Sequence, residues 1–236
     1  MEEPTTVSHI AQRAWNAYDA YLFDIDGTLL HCRDAVHYFA FCETLGMLAG
    51  RSLNLDGVMA HGNTDVGILR DALSLAGIPE IAWRPQLAAA RQRLCDEVDR
   101  HKQDLQIDVL PQVPEVLQHL RANGALLGVA TGNLRDIGRT KLQHCDLLKH
   151  FDFGGYSDDF EFRKHVFAAA LVQARTLVGE QAAVCVVGDT PSDVQAAHAN
   201  GLPVIAIATG VFSKNELQKS EPEWCLDTFL DLLPLS

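Results

Sequence analysis

Four short runs of almost unbroken apolar residues constrain this chain more than anything else in it. They are YLFDI (21–25), ALLGVAT (125–131), AAVCVVGD (182–189) and PVIAIAT (203–209). A strand with one wet face alternates apolar and polar residues. A continuous run implies cover on both faces, the usual state of parallel strands. FDFGGYS (151–157) is a weaker fifth candidate. Helical patterns separate the runs. In RKHVFAAALVQARTLVG, apolar residues recur at Val166, Phe167, Ala170, Leu171, Ala174, Leu177 and Val178, a helix period. TPSDVQAAHANG offers Thr190 as N-cap, Pro191 as first helical residue and Gly201 as stop, and VPEVLQHLRANG (113–124) is built the same way. Strands alternating with helices predict an α/β fold around a doubly wound parallel sheet.

One region breaks the alternation. From His31 to Gln106 the segments DAVHYFAFCETLGMLAG, TDVGILRDALSLAG and PQLAAARQRLCDEVDRHK carry helix periodicity, and no strand is evident. The expected organisation is therefore a catalytic core formed by residues 1–30 and 107–236, with an all-helical cap at 31–106 inserted after the first strand. Ligands of open α/β sheets bind beyond the carboxyl ends of the strands. An insert leaving from that edge would cover such a site.

Composition narrows the options. Hydrophobic residues are 47% of the 236, enough for a sizeable core and too many for a disordered chain. A formal charge of −12, from 19 Lys and Arg against 31 Asp and Glu, argues against nucleic acid or an anionic membrane surface as partner. A small anionic substrate is still compatible, because a site can be locally positive. The six cysteines form no C-x-x-C pair, which argues against a thiolate zinc site and suits a reducing compartment. The start, MEEPTTVSHIAQRAW, has no apolar leader, and no apolar run approaches membrane-spanning length. A soluble, cytoplasmic protein is expected.

The chemistry gathers where the strands end. After the first strand come Asp24, Asp26, Gly27 and Thr28; after the second, Thr131, Gly132 and Asn133; after the third, GDTPSD with Asp189 and Asp193. Parallel strands end on one edge, so four carboxylates and a Thr-Gly-Asn turn converge there. Arg163 and Lys164, opening a helix, add positive charge. Buried carboxylates repel one another unless a cation joins them, and an oxygen-only ligand set points to Mg²⁺. An Asp can also serve as a nucleophile and form an aspartyl-phosphate. Asp24 and Asp26, two residues apart on an extended segment, face one side and can divide nucleophile and proton carrier between them. Backbone amides and the Thr131 hydroxyl at a helix start suit phosphoryl oxygens.

With DIDGT (24–28), ATGN (130–133), a basic residue at 163–164 and GDTPSD (188–193) in this order, the chain resembles the haloacid dehalogenase-like superfamily over nearly its whole length. The helical insert resembles that superfamily's type 1 cap and suggests the phosphoglycolate-phosphatase-like group, whose core is a Rossmann-like sheet. The resemblance implies Asp24 as nucleophile and Asp26 as general acid/base. It implies Mg²⁺ held by Asp24, the Asp26 carbonyl and Asp189, with Asp193 direct or through water. Thr131, Gly132 and Asn133 would bind phosphate, together with Arg163 or Lys164. The usual Lys-Pro is replaced here by FRKH, and Arg163 is preferred because it opens the helix.

Simpler roles exist for several of these residues. Asn133 could cap LRDIGRTKLQH, and Asp193 could merely favour a helix N-terminus. In the insert, HGNTD (61–65) could reach the substrate through Asn63, Thr64 and Asp65, or Thr64 or Asp65 could simply cap the next helix. The implied activity is Mg²⁺-dependent hydrolysis of a small phosphorylated metabolite. A sugar-phosphate mutase of the β-phosphoglucomutase kind is the alternative. A dehalogenase is disfavoured by the second Asp, and a phosphonatase by an insert whose only lysine is Lys102. A non-catalytic binding module is disfavoured by the intact motifs.

Overall fold

A computed structural model describes residues 13–233. Most of the amino-terminal stretch read above for a leader therefore lies outside the described residues. The chain runs β1 (Ala20–Phe23), β2 (Leu30–Cys32), α1 (Val36–Ala49), α2 (Asp65–Leu75), α3 (Glu80–Trp83), α4 (Leu87–Arg100), β3 (Ile107–Val109) and α5 (Val113–Ala122). It continues through β4 (Leu126–Ala130), α6 (Arg135–His144), β5 (Phe153–Gly155), α7 (Arg163–Val178), β6 (Val184–Gly188), α8 (Pro191–His198), β7 (Val204–Ile207), α9 (Lys214–Gln218) and β8 (Trp224–Leu226).

Six strands form one parallel sheet in the order β5-β4-β1-β6-β7-β8. The chain builds outward from β1 in both directions, so β1 is the topological switch point, where a crevice opens. Register decides what reaches it. Phe23 pairs with Val129 on one side and Val187 on the other. Asp24, the turn after Ala130 and the turn after Gly188 therefore emerge side by side. Alternate residues of each strand serve opposite faces. Tyr21, Phe23, Val129, Cys185 and Val187 pack with Val116, Leu117 and Leu120 of α5. Ala20, Leu22, Val184 and Val186 pack with Val166, Phe167 and Ala170 of α7 and with Val194 of α8. Burial on both faces is why these strands read as continuous apolar runs.

The sheet has one strand more than the sequence shows. β8 is three half-buried residues at the sheet edge, too short and too wet to leave a pattern. β2 and β3 form a separate antiparallel ribbon pairing Leu30 with Val109, His31 with Asp108 and Cys32 with Ile107. His31 and Cys32, at the start of the segment expected to be purely helical, are therefore strand residues. The ribbon ties together the two ends of that segment.

Within the segment, α1 to α4 share an apolar core that includes Phe41, Leu45, Leu69, Leu73, Trp83 and Leu94. Leu134 and Ile137, at the start of α6, belong to the same cluster, so the helical layer is seated on the sheet domain. No described helix is long and apolar enough to cross a membrane.

Leu22 is fully buried in β1, directly behind the carboxylate-bearing edge. Leu22→Ala should cost about 2–5 kcal/mol in urea denaturation. Val172→Ala, at a position on α7 that is 65% exposed, should cost no more than about 0.5 kcal/mol.

Candidate active site

Asp24 follows β1 directly and is buried. The chain then turns sharply through Gly27, whose φ of 83° lies in the left-handed region and where a Cβ would overlap the Asp189 carboxylate. A side chain there is excluded both by backbone strain and by space. Thr28 Oγ1 donates to Asp189 Oδ1 at 2.8 Å, fixing the second carboxylate against the first turn. Asp193 sits in the first turn of α8, where its Oδ2 accepts from the Thr190 amide at 3.0 Å and the Thr190 hydroxyl at 2.7 Å. Thr190 accepts in return from the Asp193 amide, closing a capping box.

Arg163 opens α7 and points inward. Its Nη2 lies 2.7 Å from Asp24 Oδ2 and 2.6 Å from Asp193 Oδ1, and its Nε donates to Asp193 Oδ1 at 2.8 Å. Lys164, the other candidate, is exposed. Of the pair proposed from sequence, the structure brings Arg163 to the carboxylates and leaves Lys164 in solvent.

Asp24, Asp189 and Asp193 each offer an oxygen within 4.8 Å of the others. Burial pushes Asp24 up to about 6, with Arg163 opposing and Asp193 and Asp26 adding to the rise. Burial, then the charges of Asp193 and Asp24, drive Asp189 well above the usual carboxylate range. Such a trio of hard oxygen donors suits a divalent cation of the Mg²⁺ kind. Asp24 and Asp189 border the cavity above the sheet edge, while Asp193, held by Arg163 and Thr190, stands behind them.

Asp26 is organised by a residue that the sequence reading passed over. Lys141 of α6 has a buried side chain, and its Nζ donates to Asp26 Oδ1 at 2.9 Å and Oδ2 at 2.8 Å. The same ammonium reaches Asn133 Oδ1 at 2.8 Å and His37 Nδ1 at 3.2 Å. Enclosure works to raise the Asp26 pKa, but Lys141 and Asn133 outweigh it and hold the carboxyl at about 2. Burial likewise opposes the Lys141 charge, and Asp26 overcomes it. A signal for Lys141 exists in the sequence. It falls on the buried stripe of α6 with Ile137, Gly138 and Leu142, where an unpaired lysine would not be tolerated.

The Thr-Gly-Asn turn divides its tasks. Thr131 borders the cavity, and its Oγ1 accepts from Asn133 Nδ2 at 2.8 Å, leaving the hydroxyl proton to donate. The Asn133 side chain is committed to Asp26, Thr131 and Lys141, the contact with Asp26 Oδ2 being 2.8 Å. It steadies Asp26, and it does not cap α6. That helix start is served from outside, by Asp65 Oδ2 on the Leu134 amide at 2.7 Å and by Asp158 Oδ2 on the Arg135 amide at 3.0 Å.

The loop 61–65 comes down onto this turn. The Asp65 amide donates to the Gly132 carbonyl at 2.7 Å, and a Cβ on Gly132 would collide with the Asn63 carbonyl. Thr64 caps α2, accepting from the Gly67 amide at 2.9 Å, and donates to the Glu161 carbonyl at 2.8 Å. Asn63 Nδ2 is bound to Asp71 Oδ2 at 2.9 Å. All three side chains offered from sequence as substrate contacts are thus engaged within the protein. Thr64 and Asp65 dock the helical layer on the sheet domain, and Asn63 binds within the layer.

These features belong to one family. The chain matches the model of the haloacid dehalogenase-like hydrolase family over residues 21–207 and belongs to that family. It is 33% identical over 128 residues to the phosphoglycolate phosphatase of Salmonella typhimurium, a match spanning 53% of this chain and 50% of that protein. The chain thus spans about half the length of that relative. It is 26% identical over 220 residues to "Probable phosphatase IndB" of Dickeya dadantii, covering 90% of each. Among solved structures, a hydrolase from Pseudomonas syringae superposes with a TM-score of 0.66 at 21% identity, covering 90% of this chain and 95% of that one.

Asp65→Ala should lower stability by about 1–3 kcal/mol, because it strands the buried Leu134 amide. Hydrogen exchange should speed up most at Leu134 and through the loop 61–65.

Proposed function

We propose that the protein is a phosphomonoesterase for small phosphorylated metabolites, working through an aspartyl-phosphate on Asp24. The observation that carries this reading is the buried Asp24 at the cavity floor, sharing Arg163 with Asp193 and lying with Asp189 in one oxygen cluster. Asp24, Asp189 and the Asp26 carbonyl would hold Mg²⁺, with Asp193 keeping Arg163 in place behind them. When bound, the ion would neutralise phosphoryl charge and align the phosphorus with the nucleophile.

The chain's own groups supply the rest. Asp24 attacks phosphorus, the bond to the leaving oxygen breaks, and the phosphoryl group passes to its carboxylate. Arg163 offsets charge beside the nucleophile, and the Thr131 hydroxyl donates to a phosphoryl oxygen. Asp26 moves the proton: its neutral form gives one to the leaving oxygen in the first half, and the carboxylate so formed takes one back from the water that attacks phosphorus in the second, as the bond to Asp24 breaks and phosphate leaves. Its contact with Lys141 stabilises the carboxylate that is left once the proton has gone to the leaving oxygen. The helical segment, residues 31–106, acts as a lid. Its docking through Asp65 and Thr64 excludes bulk water while the acyl-phosphate exists.

Phosphate release should require Mg²⁺, stop on chelation and resume when Mg²⁺ is restored. Asp24→Asn should abolish release while the thermal transition is kept, and near-normal turnover by that variant would remove the nucleophile from this account. Lys141→Met should lower kcat at least about tenfold with a smaller change in KM, because it frees Asp26 from its orientation without touching the phosphoryl site.

A further inference from the structure

The cavity between helical layer and sheet encloses about 340 Å³ and has two unlike ends. The floor carries Asp24, Asp26, Thr131 and Asp189. The opposite wall, from the helical segment, presents Tyr38, Phe41, Leu55, Ala60 and Ile68. We propose that the leaving group is a neutral alcohol with an apolar face, and that a substrate carrying a second anion, such as a carboxylate, is discriminated against. This rests on the phosphomonoesterase reading above.

Charge accounting supports it. All 19 lysines and arginines lie within residues 13–233. Two of them, Lys141 and Arg163, border the cavity. Lys141 is consumed by Asp26, Asn133 and His37, and Arg163 by Asp24 and Asp193. A carboxylate on the leaving group would leave water, meet the apolar wall and face Asp26, with no uncommitted Lys or Arg to receive it. Two of the three bordering histidines are engaged by the protein. His31 Nε2 lies 2.8 Å from the Thr209 carbonyl, His37 is held between Lys141 and Asp65, and His61 is exposed on the loop.

Selection therefore falls to the wall. Asn63, Thr64 and Asp65 are engaged elsewhere, so the apolar groups of the helical segment left to touch the leaving group are Tyr38, Phe41, Leu55, Ala60 and Ile68. Tyr38, 39% exposed on α1, is the one most open to substitution.

Two matched pairs test this on the full chain with Mg²⁺: phosphoglycolate against 2-hydroxyethyl phosphate, and 6-phosphogluconate against sorbitol 6-phosphate. Each pair differs by a carboxylate replaced with a neutral hydroxymethyl group. The neutral member should have the higher kcat/KM in both pairs, by at least about tenfold. Tyr38→Arg should narrow both ratios several-fold by supplying the missing cation. Equal or higher kcat/KM for the carboxylate members overturns the inference, and so do ratios that Tyr38→Arg leaves unchanged. If all four esters and p-nitrophenyl phosphate are inert, the phosphatase reading falls first and takes this one with it.

Discussion

Three carboxylates crowd into a space where their oxygens lie within 4.8 Å of one another, and all three are buried. In such a place charge is costly unless it is compensated. Arg163 compensates two of the three, with one nitrogen near both Asp24 and Asp193. Much of the architecture serves that contact. The pairing of β1 with β4 and β6 delivers Asp24 to the edge, the capping box of α8 aims Asp193, and the buried stripe of α7 carries Arg163 inward. Gly27 clears the space in which Asp189 joins them.

A second charge pair stands beside the first and does different work. Lys141 and Asp26 meet at the cavity wall, with Asn133 bridging them and His37 behind. The first pair sits among groups that raise the carboxyl pKa of Asp24, and the second holds that of Asp26 down. Two aspartates two residues apart thus occupy opposite electrostatic settings. The positive partner in each case comes from a different helix, α7 for Asp24 and α6 for Asp26.

Much of this was legible in sequence, and the limits have physical causes. The central strands declared themselves because burial on both faces removes polar residues from them. β8 and the β2–β3 ribbon did not, since three residues cannot establish a period. The choice between Arg163 and Lys164 could have rested on phase, because Arg163 continues the stripe of Val166, Phe167, Ala170, Leu171 and Ala174. Lys141 went unseen because a lysine suggests a solvated face until the buried stripe of α6 is traced through it. Asn63, Thr64 and Asp65 were ambiguous between reading a substrate and capping a helix. Local sequence cannot separate the two for Thr64 and Asp65, since their partners, Glu161 and Leu134, are distant along the chain.

The central claim is that the carboxylate of Asp24 becomes covalently phosphorylated. The most direct measurement is to mix the protein with Mg²⁺ and p-nitrophenyl phosphate, quench in acid within one turnover, and map the phosphoryl group by peptide mass spectrometry. The account predicts an acid-stable, hydroxylamine-labile phosphoryl group on the peptide bearing Asp24, absent from Asp24→Asn. Single-turnover release of p-nitrophenol with no phosphoryl group on that peptide, or with the group on another residue, would contradict it.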